Sequence, residues 1–173
     1  NNDFCEKREP VFTLPEPIVP PDAARIMSLR DGSAKMSNSD PSAMSRVHLS
    51  DDADEIMRKV RKAKTDPEPL PSEAAGLEGR PEALNLVTIY GALAGKTVDG
   101  VLSEYGGQGF GVFKPALGEL MVEVLAPIAA RGNELRHDRE SLDAILARGA
   151  SKAREMAAST LSATYGALGL VRG

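Results

Sequence analysis

Lys35-Met36-Ser37-Asn38-Ser39-Asp40 is the stretch of this chain whose residue types are best suited to chemistry. It lies between Asp31-Gly32 and Pro41, two turn signals, which predicts an ordered loop. A lysine, two serine hydroxyls and small polar neighbours make a cationic, hydrogen-bonding lip. Such a lip suits a triphosphate: the ammonium supplies charge, and hydroxyls and backbone amides donate to phosphate oxygens.

The elements around the loop can be read from local signals. Residues 1–24 carry Pro10, Pro15, Pro17, Pro20 and Pro21, which favours extended and turn conformations over helix. Asn1 to Glu6 reads as the frayed end of a helix. Arg25 to Leu29 reads as a short strand, either a buried edge strand without a ligand or the approach to a nucleotide. Ser50-Asp51-Asp52 offers an N-cap and an acidic first turn for a helix running to about Ala63. Ala53, Ile56, Met57, Val60 and Ala63 fall on one face. Arg58, Lys59, Arg61, Lys62 and Lys64 crowd the rest; they are a solvated face complementing the helix dipole or a set of phosphate contacts.

Pro67, Pro69 and Pro71 give residues 67–80 the character of a stiff linker, with Glu78 and Arg80 placed for a local ion pair. From Pro81 the pattern is helical throughout. Pro81 suits a first helical position, and Leu84, Leu86, Val87, Ile89, Tyr90 and Leu93 surround most of that helix, so it should be buried. Val98, Val101, Leu102 and Tyr105 mark a shorter helix ended by Gly106-Gly107. Phe113, Ala116, Leu117, Leu120, Met121, Val124 and Ile128 form a stripe, with Pro115 expected at the helix start and Pro127 at a kink. The last helix carries Leu142, Ile145, Leu146, Ala153, Met156, Ala157, Leu161, Thr164 and Leu168 on one side. Packed antiparallel, these helices would make a small bundle in which methionines and tyrosines are core residues.

Composition narrows the class of protein. A chain of 173 residues with 42% hydrophobic and 27% charged residues is ordinary for a globular protein and long enough to bury a core. No apolar run is long enough to span a bilayer. The single cysteine, Cys5, offers no disulfide framework, reads as an incidental thiol and is compatible with a reducing cytoplasm. With only His48 and His137 besides, a zinc site is not expected. The net charge of −4 argues against a globally basic nucleic-acid binder but leaves local cationic patches open. No Walker loop, Gly-x-Gly-x-x-Gly fingerprint or Gly-x-Ser-x-Gly elbow is present. The chain starts at Asn1 and its first residues read as the middle of a longer sequence, as in a truncated chain, a fragment or a processed product.

The loop resembles the Lys-Met-Ser-Lys-Ser signature of class I aminoacyl-tRNA synthetases, with Asn38 in place of the second lysine. Its flanks, Arg25-Ile26-Met27-Ser28-Leu29, Lys62-Ala63-Lys64-Thr65-Asp66-Pro67-Glu68-Pro69 and Gly76-Leu77-Glu78-Gly79-Arg80-Pro81-Glu82 with Asn85-Leu86, resemble bacterial tryptophanyl-tRNA synthetases in the same order and spacing. The resemblance covers nearly the whole chain and corresponds to the C-terminal half of that enzyme. The tyrosine-specific relatives share the loop and fold; a non-catalytic helical RNA- or protein-binding module with a degenerate loop is the rival from another class.

The resemblance implies a mostly α chain: a fragment of a nucleotide-binding α/β (Rossmann-like) domain carrying the signature loop, followed by a helical bundle. Residues 1–66 would be the remnant of the catalytic domain, 67–80 the linker, and 81–173 the tRNA anticodon-binding domain. It implies a tryptophan–tRNA ligase using ATP with Mg2+. Ile26, Met27, Lys35, Met36, Ser37, Asn38 and Ser39 would contact ATP, the first two through backbone at the adenine, with Lys35 and Asn38 as catalytic positions. The implied partners are tRNA-Trp and tryptophan, with a homodimer in the parent enzyme and no membrane. The family's His-x-Gly-His signature has no counterpart here, and its tryptophan pocket lies mainly in the other half. These residues alone are therefore expected neither to bind tryptophan nor to form the adenylate. Arg131, Arg136, Arg139, Arg148, Lys152 and Arg154 are open to phosphate contact or to plain solvation.

Overall fold

The computed structural model describes residues 11–20 and 23–171. Cys5, Pro10, Pro21 and the helix end expected at Asn1 to Glu6 lie outside them. The fold is mostly helical, with α1 Ala53–Arg61, α2 Pro81–Ala94, α3 Val98–Tyr105, α4 Phe110–His137 and α5 Arg139–Leu168, plus 3-10 turns at Ala43–Ser45 and Ala74–Leu77. Two compact units divide it, one of Val19–Glu134 and one joining the residues up to Ile18 with Leu135–Gly173.

The unit Val19–Glu134 holds the core. Asp52 caps α1 by accepting from the Glu55 amide, and Pro81 opens α2. Gly95, at φ 64°, closes α2 in the left-handed region that a side chain disfavours. Thr97 caps α3 by accepting from the Gly100 amide. Ile56, Val60, Leu86, Val87, Val101, Leu102, Phe113 and Leu117 are all buried together. Tyr90, Tyr105 and Phe113 interlock, with ring centroids 5.1–5.6 Å apart. Burial and the hydroxyl contact between the two tyrosines push the Tyr105 phenol far above its usual range.

Three expectations meet a different arrangement. The segment from Arg25 to Leu29 forms no strand; it makes one antiparallel bridge, Met27 to Lys35. Among the described residues no second strand lies beside it, and the pairing stops after one bridge. Pro115 sits inside α4, which starts at Phe110. Gly106 and Gly107 end α3 and leave room for the new helix to begin before the proline. Within residues 67–80, Leu70 and Leu77 are buried at 1% and 2% exposure. Arg80 pairs with Asp66 at 2.6 Å, not with Glu78, and donates to the Glu68 and Pro69 carbonyls at 2.9 Å each. That guanidinium ties both ends of the proline-rich turn together.

The Arg80 guanidinium holds the Asp66 carboxyl below its usual range, and Lys64, at 2.7 Å, does the same for Glu82. A carboxyl lowered in the folded state contributes stability above its unfolded pKa, about 4, and loses it as pH falls through the folded value. Urea midpoints are therefore expected to be level from neutral pH down to about pH 5 and to fall below pH 4. Asp66→Asn should flatten part of that acid limb and cost no more than about 1 kcal/mol at pH 7, since both partners are partly exposed.

In the second unit, α5 is capped by Asp138, which accepts from the Ser141 amide, and ends at Gly169 with φ 67°. None of its residues is buried. On α5 itself, Met156 is 73% exposed. The Pro15 to Pro20 segment has no helix, as its prolines dictate.

Candidate functional site

The signature stretch is held at its front by backbone pairing. The Met36 amide donates to the Ile26 carbonyl at 3.0 Å, and the Ser28 amide to the Ala34 carbonyl at 2.8 Å. These bonds close a hairpin over residues 26–36. Its tip lies against the start of α2: a Cβ on Gly32 would stand 2.6 Å from the Glu82 backbone nitrogen, so only glycine fits. Asp31 accepts from the Ser33 hydroxyl and amide, which shapes the turn and lowers its carboxyl pKa.

Asn85 fixes the hairpin to α2. Its side-chain oxygen accepts from the Met27 amide at 2.8 Å, and its side-chain nitrogen donates to the Met27 carbonyl at 2.8 Å. The amide thus imitates a neighbouring strand. Asn85 is 4% exposed in a helix otherwise lined by Leu86, Val87 and Ile89. A polar residue set among apolar ones was a readable signal, because a buried amide needs partners. Asn85→Ala leaves a buried N–H and C=O unpaired and is expected to cost about 2–4 kcal/mol in urea unfolding. Asn85→Asp, which cannot donate when ionised, should recover only part of that loss.

Between Met36 and Asp40 the loop makes only local bonds. The Ser37 and Ser39 hydroxyls lie 2.8 Å apart, the Ser39 amide donates to the Ser37 hydroxyl at 3.3 Å, and the Asp40 amide donates to the Ser37 carbonyl at 3.4 Å. Lys35, Asn38 and Ser39 are exposed. Among the described residues, the Lys35 side chain has no ion-pair partner. The structure therefore gathers Ile26, Met27 and Lys35 through Ser39 around one hairpin and its outgoing loop. It also engages the Met27 backbone with Asn85, so Met27 serves the hairpin's position.

Behind the loop, Arg46 donates to the Asp40 carbonyl at 2.9 Å, the Ser42 carbonyl at 3.2 Å and the His48 Nε2 at 3.2 Å. The His48 amide donates to Asp51 at 2.8 Å, and Asp51 accepts from the Lys59 ammonium at 2.6 Å. Lys59 is 1% exposed. It belongs neither to a solvated face nor to a phosphate-contacting set, because it points along the buried side of α1 beside Ile56 and Val60. Arg58 makes a bidentate pair with Glu55, and Lys64 pairs with Glu82. Of that basic run, Arg61 and Lys62 remain exposed without an ion-pair partner among the described residues.

Arg61 lines an open cavity of about 420 Å³ with Met57, Phe110, Gly111, Lys114 and Pro115. Lys114 donates to the Ala63 carbonyl at 2.7 Å, and Arg30 to the Lys62 carbonyl at 2.6 Å; together they cap the C-terminus of α1. Burial and the nearby Arg30 charge lower the Lys114 pKa.

A family model of tRNA synthetases class I (W and Y) matches residues 2–126, which include the hairpin, the loop and their supports. This chain belongs to that family. The class I synthetase chain is 58% identical over 162 residues to the tryptophan–tRNA ligase of Caulobacter vibrioides, covering 94% of this chain and 46% of the relative. The tryptophan–tRNA ligase of Mesorhizobium japonicum is 55% identical over the same shares of the two chains. The crystal structure of tryptophanyl-tRNA synthetase from Mycoplasma pneumoniae superposes with a TM-score of 0.79 at 25% identity, over 98% of this chain and 49% of that one. The synthetase chain thus spans about half the length of the relatives it matches, and the mostly helical fold is the one they share. Among the described residues, no helix is long and apolar enough to cross a membrane.

Proposed function

We propose that this chain forms the ATP-side loop and the tRNA-facing helices of a tryptophan–tRNA ligase. The observation that supports this most is the Lys35 to Ser39 loop, in which Lys35, Asn38 and Ser39 are exposed and Ser37 to Ser39 are lightly bonded between two held ends. That arrangement lets a loop close on a triphosphate after it arrives. Relatives at 58% and 55% identity are tryptophan–tRNA ligases, which favours tryptophan over tyrosine as the amino acid.

In the reaction, a tryptophan carboxylate oxygen attacks the α-phosphorus of ATP. The new oxygen–phosphorus bond forms as the bond to pyrophosphate breaks, and charge grows on the leaving group. Lys35 supplies positive charge there, while the Ser37 and Ser39 hydroxyls turn from each other to donate to phosphate oxygens. Mg2+ enters with ATP as part of that substrate. Ile26 and Met27, on the incoming arm of the hairpin, border the adenine end, with Met36 paired to Ile26 beside them. Residues up to 66 serve the catalytic side, residues from 81 serve tRNA-Trp, and the complete enzyme works as a cytoplasmic homodimer.

Asn38 stands where the family signature carries a second lysine. A neutral amide donates a weaker bond than a charged group. Asn38→Lys in a complete enzyme is expected to raise the activation rate severalfold in pyrophosphate exchange; no gain, or a loss, rejects this role. Exposed Arg61 and Lys62 are the members of the basic run able to supply the missing charge.

The deciding experiment is tryptophan-dependent exchange of pyrophosphate into ATP, by this chain alone and with a separately made N-terminal half of a relative. Activity only on combination supports the ligase. Absence of activity from two folded, associated halves favours a helical binding module whose loop has lost its chemistry, and directs the search to RNA binding.

A further inference from the structure

We propose that Arg46 is a positioning residue that transmits the placement of α1 to the outgoing end of the signature loop. The chain of bonds is continuous. Lys59, buried in α1, holds Asp51; Asp51 holds the His48 amide; the His48 ring accepts from Arg46 Nε; and Arg46 Nη1 grips the Asp40 and Ser42 carbonyls. The hairpin fixes the loop at Met36, whereas Arg46 fixes it at Asp40, so Ser37 to Ser39 span two anchors. A second bond supports the rear one: the Leu29 amide donates to the Ser45 carbonyl at 2.9 Å, tying the 3-10 turn to the hairpin.

Two features make Arg46 the specific part of this relay. Its planar fork addresses two carbonyls and a ring nitrogen at once, which a lysine ammonium does not match. The bond to His48 Nε2 also uses that ring nitrogen as an acceptor, which makes His48 a link between Arg46 and the Asp51 anchor. Arg46 has no carboxylate partner among the described residues; its charge is directed at the loop carbonyls. The inference rests on the ATP reading of the loop only for its consequence in catalysis, since the anchoring itself is a property of the unliganded chain.

The test is NMR of this chain, comparing wild type with Arg46→Gln and Arg46→Lys. In Arg46→Gln, amide exchange at Ser39, Asp40 and Ser42 should speed at least tenfold. Amides of Ile56 to Val60 and the Asn85 side chain should keep their wild-type protection. Arg46→Lys should restore loop protection only in part, and His48 Nε2 should lose its hydrogen-bonded nitrogen shift in both variants. Unchanged loop exchange in Arg46→Gln overturns the proposal. So does equal loss of protection in α1, which would mark a residue that merely holds the fold. Pyrophosphate exchange by the combined halves separates the two readings. Arg46→Gln should raise the KM for ATP more than it lowers kcat. Loop loosening with no response of exchange activity to Lys35→Ala rejects the ATP reading and leaves the anchoring intact.

Discussion

Lys59→Ala is expected to destabilise the chain by about 3–5 kcal/mol, enough to unfold much of a marginally stable unit. Lys59 is 1% exposed, and its ammonium lies 2.6 Å from Asp51 and 3.7 Å from Glu55. Removing it leaves the Asp51 carboxylate without its counter-charge and opens a cavity beside Ile56 and Val60. The choice of replacement separates those two costs. Lys59→Met fills the cavity and leaves the carboxylate orphaned, so it should recover only the packing part. Adding Asp51→Asn to Lys59→Met removes the orphaned charge while an amide oxygen still accepts from the His48 amide. That pair should lie closer to wild type than either single variant. Urea unfolding of wild type, Lys59→Met, Asp51→Asn and the pair, followed by helical circular dichroism, gives the coupling directly. A Lys59→Ala chain within 1 kcal/mol of wild type would be incompatible with the buried pair.

Lys35→Ala is expected to lower tryptophan-dependent pyrophosphate exchange by about a hundredfold or more in the combined enzyme, the size seen when one transition-state donor is lost. The same substitution should leave the urea midpoint of this chain unchanged, because the Lys35 side chain is exposed and without an ion-pair partner among the described residues. Lys35 and Lys59 thus make opposite predictions from the same residue type. One changes activity and spares stability; the other unfolds the chain and takes activity with it. If Lys35→Ala leaves exchange intact, the loop is not the triphosphate site.

This contrast also marks the limit of local sequence patterns. Lys59 sits in a basic run with Arg58, Arg61 and Lys62, and its charge alone gives no sign of burial. The side chain is committed by its angle around α1, which places it with Ile56 and Val60 and within reach of Asp51. Arg80 offers the same lesson. Glu78 is its nearer acid along the chain, but the folded turn brings Asp66 to it, 14 residues away. The proline-rich stretch reads as a spacer because prolines stiffen any chain; Leu70 and Leu77 reach the core only because the turn folds back upon it.

By itself the sequence determined that this protein is mostly helical, where α1, α2 and α3 lie, and the resemblance of the loop to the family signature. Those features are set within three or four residues: Asp52 ahead of α1, Pro81 opening α2, Gly106-Gly107 after α3, and the apolar spacing between them. The loop is legible for a related reason, since its resemblance to the family signature is carried by adjacent residues, Lys35 to Ser39, that need no distant partner to be recognised. Tertiary structure alone decided where that loop is held. Asn85 meets Met27 across 58 positions, and Gly32 meets Glu82 across a contact only a glycine permits. Such pairings have no period and no local propensity. They exist because the fold brings together groups that must satisfy their hydrogen bonds or exclude water, and a one-dimensional pattern does not say which groups will meet.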